Sequence, residues 1–416
     1  MTIAFRPGTV IDGTGAPPRE GCTVLVDGSR ITACGAREDV EVPNAAEIVD
    51  APDATLIPGL IDLHVHLAFS GDLERDTFRT EVAGLNYAQM ALRAAGYALR
   101  TLRAGFTTLR DVHAPGGVII DLARAIRARH VPGPTIHACG TGLSVTGGHM
   151  DQPGWADHVR LEGVTSPCDG PLEFRRGVRR QVKRGADLIK INACVSSLLH
   201  PEVPYRQEMT DDELEAACDE AHLLERHVAA HTSGGPGLTA AVRAGVDTVE
   251  HGHWIDRETA DLMAESGTIL VPTLLVNERN FEFSREELGG SDASWRWREQ
   301  SRDAKWESLE IARRAGVRIG CGTDAGYMIP HGEMNAREVE LLVQGGLSPV
   351  EAIHSATGIG AERLGIEAGV IAPGRLADLV LVAGDPVADI RVLQELHRLR
   401  VFKEGVEVAQ RDGEAA

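Results

Sequence analysis

Between residues 57 and 367 the chain repeats one texture: a short apolar run, a polar loop, then a stretch with amphipathic helical spacing. The apolar runs are too short for helices and are rich in Val, Ile and Leu, which predicts strands over 59–66, 106–111, 135–139, 187–192, 227–231, 247–251, 268–273 and 317–323. Thr210-Asp211-Asp212-Glu213 is a capping box that opens a helix towards Arg226, and Asp256 can cap the helix after the sixth strand. Eight strands alternating with helices over about 310 residues predict an α/β chain folded as a (β/α)8 TIM-type barrel. A doubly wound open sheet is the second choice, but no G-x-G-x-x-G or P-loop supports it.

The two ends differ from the middle. Residues 1–56 hold short β-like runs such as Thr23-Val24-Leu25-Val26, broken by the turn signal Asp27-Gly28. The strand-like ADLVLVA of 377–383, followed by Gly384-Asp385-Pro386, repeats that texture near the C-terminus. The expected organisation is a small β-sandwich domain built from 1–56 and 368–416, flanking a barrel over 57–367.

Composition narrows the function. Acidic residues outnumber basic ones by 61 to 42, a net charge of −19, which argues against a nucleic-acid partner. No apolar run reaches the ~18 residues of a membrane span, and the N-terminus lacks a signal-peptide core. The seven cysteines are scattered, with no C-x-x-C pair, and read as free thiols of a reducing compartment. The expected location is the cytoplasm, with no membrane partner.

The candidate chemistry sits at strand ends. The first strand closes on Asp62-Leu63-His64-Val65-His66, and alternate strand residues share a face, so His64 and His66 can converge on one metal ion. The fourth reads Asp187-Leu188-Ile189-Lys190-Ile191-Asn192; if Leu188 and Asn192 point inward, so does Lys190. A buried ammonium is costly, and two remedies stay open: an ion pair, or reaction of the neutral amine with CO₂ to give a carbamate. His231 ends the fifth strand, His251 the sixth and Asp324 the eighth. Barrel active sites are built at the C-terminal ends of strands, so the joint placement carries more weight than any single residue. Asp62 has the parity of the two histidines and can orient a ligand or make a structural hydrogen bond. His113 and His200 read as solvated loop residues.

GLIDLHVH, DLIKI, the lone histidine after strand five, EHG and GTD together resemble the amidohydrolase superfamily. VIDGTG near the start and APGRLADLVLVAGDP near the end resemble its accessory β-sandwich. Within that superfamily the chain is most similar to the imidazolonepropionase-like, Xaa-Pro-dipeptidase-like branch, which includes carboxypeptidases and enzymes hydrolysing ochratoxin-type amides.

The resemblance implies two divalent metal ions, zinc being the expected one. His64, His66 and Asp324 would hold the more buried ion, His231 and His251 the second, and Lys190, carbamylated, would bridge them. It implies attack on an amide carbonyl by a hydroxide shared between the ions, with Asp324 as proton shuttle. Thr146-Gly147-Gly148-His149 resembles a substrate-binding loop of that branch. Tyr205 or Arg206 is the expected carboxylate anchor, and His331 resembles a loop histidine near the metals. The implied activity is release of a C-terminal amino acid from dipeptides or N-acyl amino acids. The alternatives are carboxylate-free amides, ureas or carbamates, or a cyclic amide. A homo-oligomer is implied in the same way.

Overall fold

The computed structural model describes residues 1–73, 77–151, 156, 158, 163–164, 166–194, 206–289 and 291–409. The two chain ends meet in one eight-stranded sheet. Its order runs from the C-terminal strands Val406–Glu407, Leu399–Lys403 and Leu379–Ala383 to Glu47–Pro58, Thr2–Val10, Cys22–Asp27 and Arg30–Ala36, with the short Arg19–Glu20 paired to Thr2–Val10 as the eighth. The key join is the antiparallel register of Leu379 with Pro58 through Ala383 with Ala54. The expected sandwich is thus hydrogen-bonded as a single continuous sheet, with Phe5 and Phe402 edge-on at 4.8 Å in its core.

The middle of the chain supplies parallel strands. Leu60–Val65, Phe106–Asp111 and Thr135–Ala138 form one set. Leu188–Asn192, His227–Thr232, Thr248–His251 and Ile269–Val271 belong to the other, which the short Leu143–Ser144 and Ser166–Pro167 extend to six strands. Asp187 N donates to Ala138 O at 2.9 Å and links the two sets. Each observed strand lies within two residues of its expected bounds, because short runs of β-branched and aliphatic residues buried on both faces leave the chain little choice.

The eighth position is different. The sequence predicts a strand over 317–323, but only isolated bridges form there, from Ile319 to Leu270 and from Ala325 to Val65. Leu63 N to Cys321 O (2.8 Å) and Asp324 N to His64 O (2.8 Å) still tie this segment to the first strand. The ladder is interrupted because Asp62 takes the Thr323 amide and hydroxyl, at 3.1 and 2.7 Å. Glycine is also required: a Cβ on Gly322 would lie 2.9 Å from His64 Cβ and 2.4 Å from Val271 Cγ1. The segment therefore packs closely against the first strand and carries Asp324 to its histidines.

Helices return the chain between strands, and the sequence signals at their starts are used. Thr210 and Glu213 form the reciprocal capping box, and Asp256 accepts from Thr259 N at 2.8 Å. The longest helix, Asp292–Ala315, sits between the seventh strand and the eighth segment. All seven cysteines are free, and no helix among the described residues is long and apolar enough to cross a membrane.

Candidate metal centre

Strand parity brings the expected ligands to one place. Leu188 packs with Val112, Cys139 and Ala229, residues of three neighbouring strands and their ends. Leu188 therefore points into the ring of strands, and Lys190, two residues on, follows it. His64, His66 and Asp324 present ligand atoms all within 4.8 Å of one another. Asp324 Oδ1 is 3.1 Å from His66 Nε2 and 3.5 Å from His64 Nε2. On the other side, the His251 ring centre lies 5.0 Å from that of His64 and 4.6 Å from that of His231. Both His251 and Asp324 have left-handed backbone, φ +67° and +65°, an energetic cost concentrated at the site.

The imidazoles are oriented from behind. His64 Nδ1 is 2.6 Å from Glu250 Oε2, and Arg110 Nη2 holds the other Glu250 oxygen at 2.6 Å. His66 Nδ1 faces His113 O at 3.3 Å, and His251 Nδ1 faces Thr273 Oγ1 at 2.8 Å. In each ring Nδ1 is engaged by the protein, which leaves Nε2 for the centre, as in histidines that bind metals. His231 Nε2 is buried and has no hydrogen-bond partner among the described residues. Asp62 is occupied four times, by His64 N, Thr323 N, Thr323 Oγ1 and Asn335 Nδ2.

Electrostatics suits cations. Burial, helped by Lys190, lowers His64 to about 4, and burial and neighbouring imidazoles bring His231 and His251 well below their ordinary value. These rings are neutral with lone pairs free. Burial opposes ionisation of Asp324, yet His64, the hydrogen bond from His66 and Lys190 outweigh it and keep the carboxyl below its usual range. Burial also lowers Lys190, which is only 5% exposed, against the opposing charges of Glu250 and Asp324. Three imidazoles held below their ordinary pKa, a carboxylate held below its own, and the buried Nε2 of His231, unpartnered among the described residues, form a donor set that fits divalent cations such as zinc.

The amidohydrolase family model matches residues 55–408. The chain belongs to that family. It is 31% identical over 415 residues to ochratoxinase of Aspergillus niger, covering 95% of this chain and 84% of that enzyme. A solved Xaa-Pro dipeptidase with methionine bound in its active site superposes with a TM-score of 0.86 at 31% identity, covering 98% of this chain and 99% of the other. Imidazolonepropionase of Streptomyces griseus is 26% identical over 387 residues, 87% of this chain and 86% of that one. The protein is therefore an amide-bond hydrolase with a TIM-barrel-type fold, of a family that generally uses divalent metals.

The remaining residues of this amidohydrolase that the sequence singled out are dispersed. His149 stacks on His231 with ring centres 3.9 Å apart, and its amide donates to Glu208 Oε1 at 2.7 Å. Arg206 is exposed, within electrostatic reach of Glu208. Tyr205 and His200 lie outside the described residues. His331 is fully buried, stacked on Tyr97 at 4.9 Å and bonded through Nε2 to Phe69 O at 2.9 Å, which braces the loop after the first strand. Beyond the residues singled out in the sequence, His253 is buried too, 6.3 Å from His251 and beside Asn277.

His113 corrects the sequence reading. Expected in solvent, it is 1% exposed: Gly142 N donates to its Nδ1 at 3.1 Å, and its carbonyl serves His66. Arg110, Glu250, Thr273 and Lys305 do not stand out in the sequence as site residues. Arg110 and Glu250 do carry a signal, as charges inside apolar strands. Thr273 and Lys305 carry none.

Proposed function

We propose that this amidohydrolase uses two divalent cations to release a C-terminal amino acid from dipeptides or N-acyl amino acids, ochratoxin-type amides included. His64, His66 and Asp324 would hold one cation and His231 and His251 the other, with a carbamylated Lys190 as a further ligand. Lys190 carries the two-cation reading: it is 5% exposed and points inward, and burial lowers its pKa against the pull of Glu250 and Asp324, which favours the free amine that reacts with CO₂. The new N–C bond forms as one proton leaves nitrogen, and the product is a carboxylate that answers the surplus of neutral histidines.

Cations bound here supply Lewis acidity that polarises the scissile carbonyl and makes water nucleophilic near neutral pH. Asp324 does the proton work. Its carboxylate, ionised and at the edge of the histidine cluster, takes a proton from the attacking water and delivers it to the leaving nitrogen as the C–N bond breaks. Arg110 and Glu250 fix the His64 ring while this happens. His149, next to His231, contacts the substrate carbonyl or carboxylate, and Arg206 or Tyr205 takes the carboxylate from the loop side. His331 is committed to Phe69 and serves that loop.

The test is amine release from a panel of dipeptides and N-acyl amino acids, set beside matched amides without the terminal carboxylate. The enzyme is loaded with zinc or manganese and supplied with bicarbonate. Cleavage confined to the carboxylate-bearing set is expected. Equal or faster turnover of the carboxylate-free set refutes the anchor and moves the assignment to xenobiotic amides, ureas or carbamates. Turnover of a cyclic amide alone moves it to the imidazolonepropionase type.

A further inference from the structure

We propose that Lys305 is a positioning residue that acts through Thr273 to hold His251 for the second cation, independently of the groups that hold the first. The inference rests on the two-cation reading above.

Lys305 lies on the helix Asp292–Ala315 and is 1% exposed. Its Nζ donates to Thr273 O at 2.9 Å, to Thr273 Oγ1 at 3.2 Å and to Asn277 Oδ1 at 2.5 Å. Three donors thus meet three neutral oxygens, and the carboxylates that act on Lys305, Glu338 foremost, do so through space. A fully buried lysine spent on a threonine needs a reason, since a leucine or methionine would fill the volume without the desolvation cost.

The backbone at Thr273 supplies one. Its φ is +47°, a left-handed conformation that a β-branched residue rarely adopts. Two bonds from Lys305 fasten it on one side. On the other, Glu338 accepts from Leu274 N at 2.9 Å and Leu275 N at 2.7 Å, which holds the turn that follows. The strained turn aims Thr273 Oγ1 at His251 Nδ1, 2.8 Å away. With Nδ1–H donated there, the His251 Nε2 lone pair faces His231 and His64. The hydroxyl oxygen fixes both the ring plane and the tautomer.

The first cation's ligands depend on other residues. His64 is held by Glu250 and Arg110, and the Asp324 segment is held by Asp62. Neither group shares a residue with Lys305, Thr273 and Asn277. The hydrogen bonds that support the two halves are therefore separate, and damage to one set is expected to weaken one half.

The experiment strips the protein, equilibrates it with zinc over a range of free concentrations and reads bound metal per chain by elemental analysis. Cobalt absorption gives a second readout. The wild type is expected to take two ions. Lys305→Met is expected to keep one at unchanged affinity and to bind the other 10–100-fold more weakly. Thr273→Val removes only the hydroxyl and decides the matter should Lys305→Met fail to fold; the same split is expected, with Thr273→Ser restoring the second ion. Two ions bound as in the wild type by Lys305→Met, or by Thr273→Val, overturn the proposal. So does equal weakening of both ions, which marks a structural role alone. A wild type that takes fewer than two ions refutes the two-cation reading itself, and this inference falls with it.

Discussion

Glu250→Gln is the perturbation that best tests the energetic account of the centre. Glu250 is fully buried between His64 and Arg110, and Arg110 is 2% exposed. The guanidinium also bonds Thr248 Oγ1 at 2.9 Å and the carbonyl of Leu63. Glutamine keeps the shape but leaves a buried cation without its carboxylate, and breaking such a pair costs about 3–5 kcal/mol. Replacing both partners by apolar residues removes the stranded charge, so Arg110→Met with Glu250→Leu is expected to cost far less than the sum of the single changes.

The assay is urea unfolding followed by tryptophan fluorescence, in chelator, so that stability is read apart from metal binding. The pH dependence carries a sign. Burial raises the Glu250 pKa, but Arg110 and His64 outweigh it and hold it below the usual carboxylate range. Its contribution is therefore complete above that range and lost as pH falls through the folded-state value. The deficit of Glu250→Gln should be full at neutral pH and shrink in acid. Additive single and double effects, within about 0.5 kcal/mol, refute the account.

Three further outcomes are expected. Asp324→Asn should fold and retain metal, with kcat down by about 10²–10⁴-fold; near-wild-type turnover of a fully metallated variant removes Asp324 from proton transfer. Chelation should lower the melting temperature and added zinc restore it, by about 2.7 kcal/mol at a hundredfold excess over Kd; an unchanged melting temperature speaks against a cation site. Burial raises Glu208 to about 8, so its favourable contribution is present below the ordinary carboxylate pKa and lost as pH rises towards 8. Glu208→Gln should therefore gain on the wild type between about pH 5 and about pH 9, and a constant gap between their urea midpoints contradicts that.

What the sequence determined by itself is local. Strand positions follow from short apolar runs, and inward parity follows from a two-residue repeat, so Leu188, Lys190 and Asn192 fall on one face however the strands close on one another. The same repeat puts His64 beside His66, and nearest-neighbour chemistry places the helix starts at Thr210 and Asp256. The terminal strands are legible as strands, but not their pairing of 379–383 with 54–58 into one sheet.

Only the tertiary structure decided which distant residues support the ligands. Arg110 and Glu250 are 140 positions apart, and Lys305 reaches Thr273 across 32. No periodicity couples such pairs; their contact depends on how the strands come together and how the long helix packs back. The same closure buries His113, whose DVHAPGG context reads locally as an exposed loop. It also breaks the eighth strand at Thr323, where Asp62 competes for the backbone that a ladder would otherwise use. Propensity and parity act over a few residues, whereas burial and side-chain competition are settled only when the whole sheet is in place.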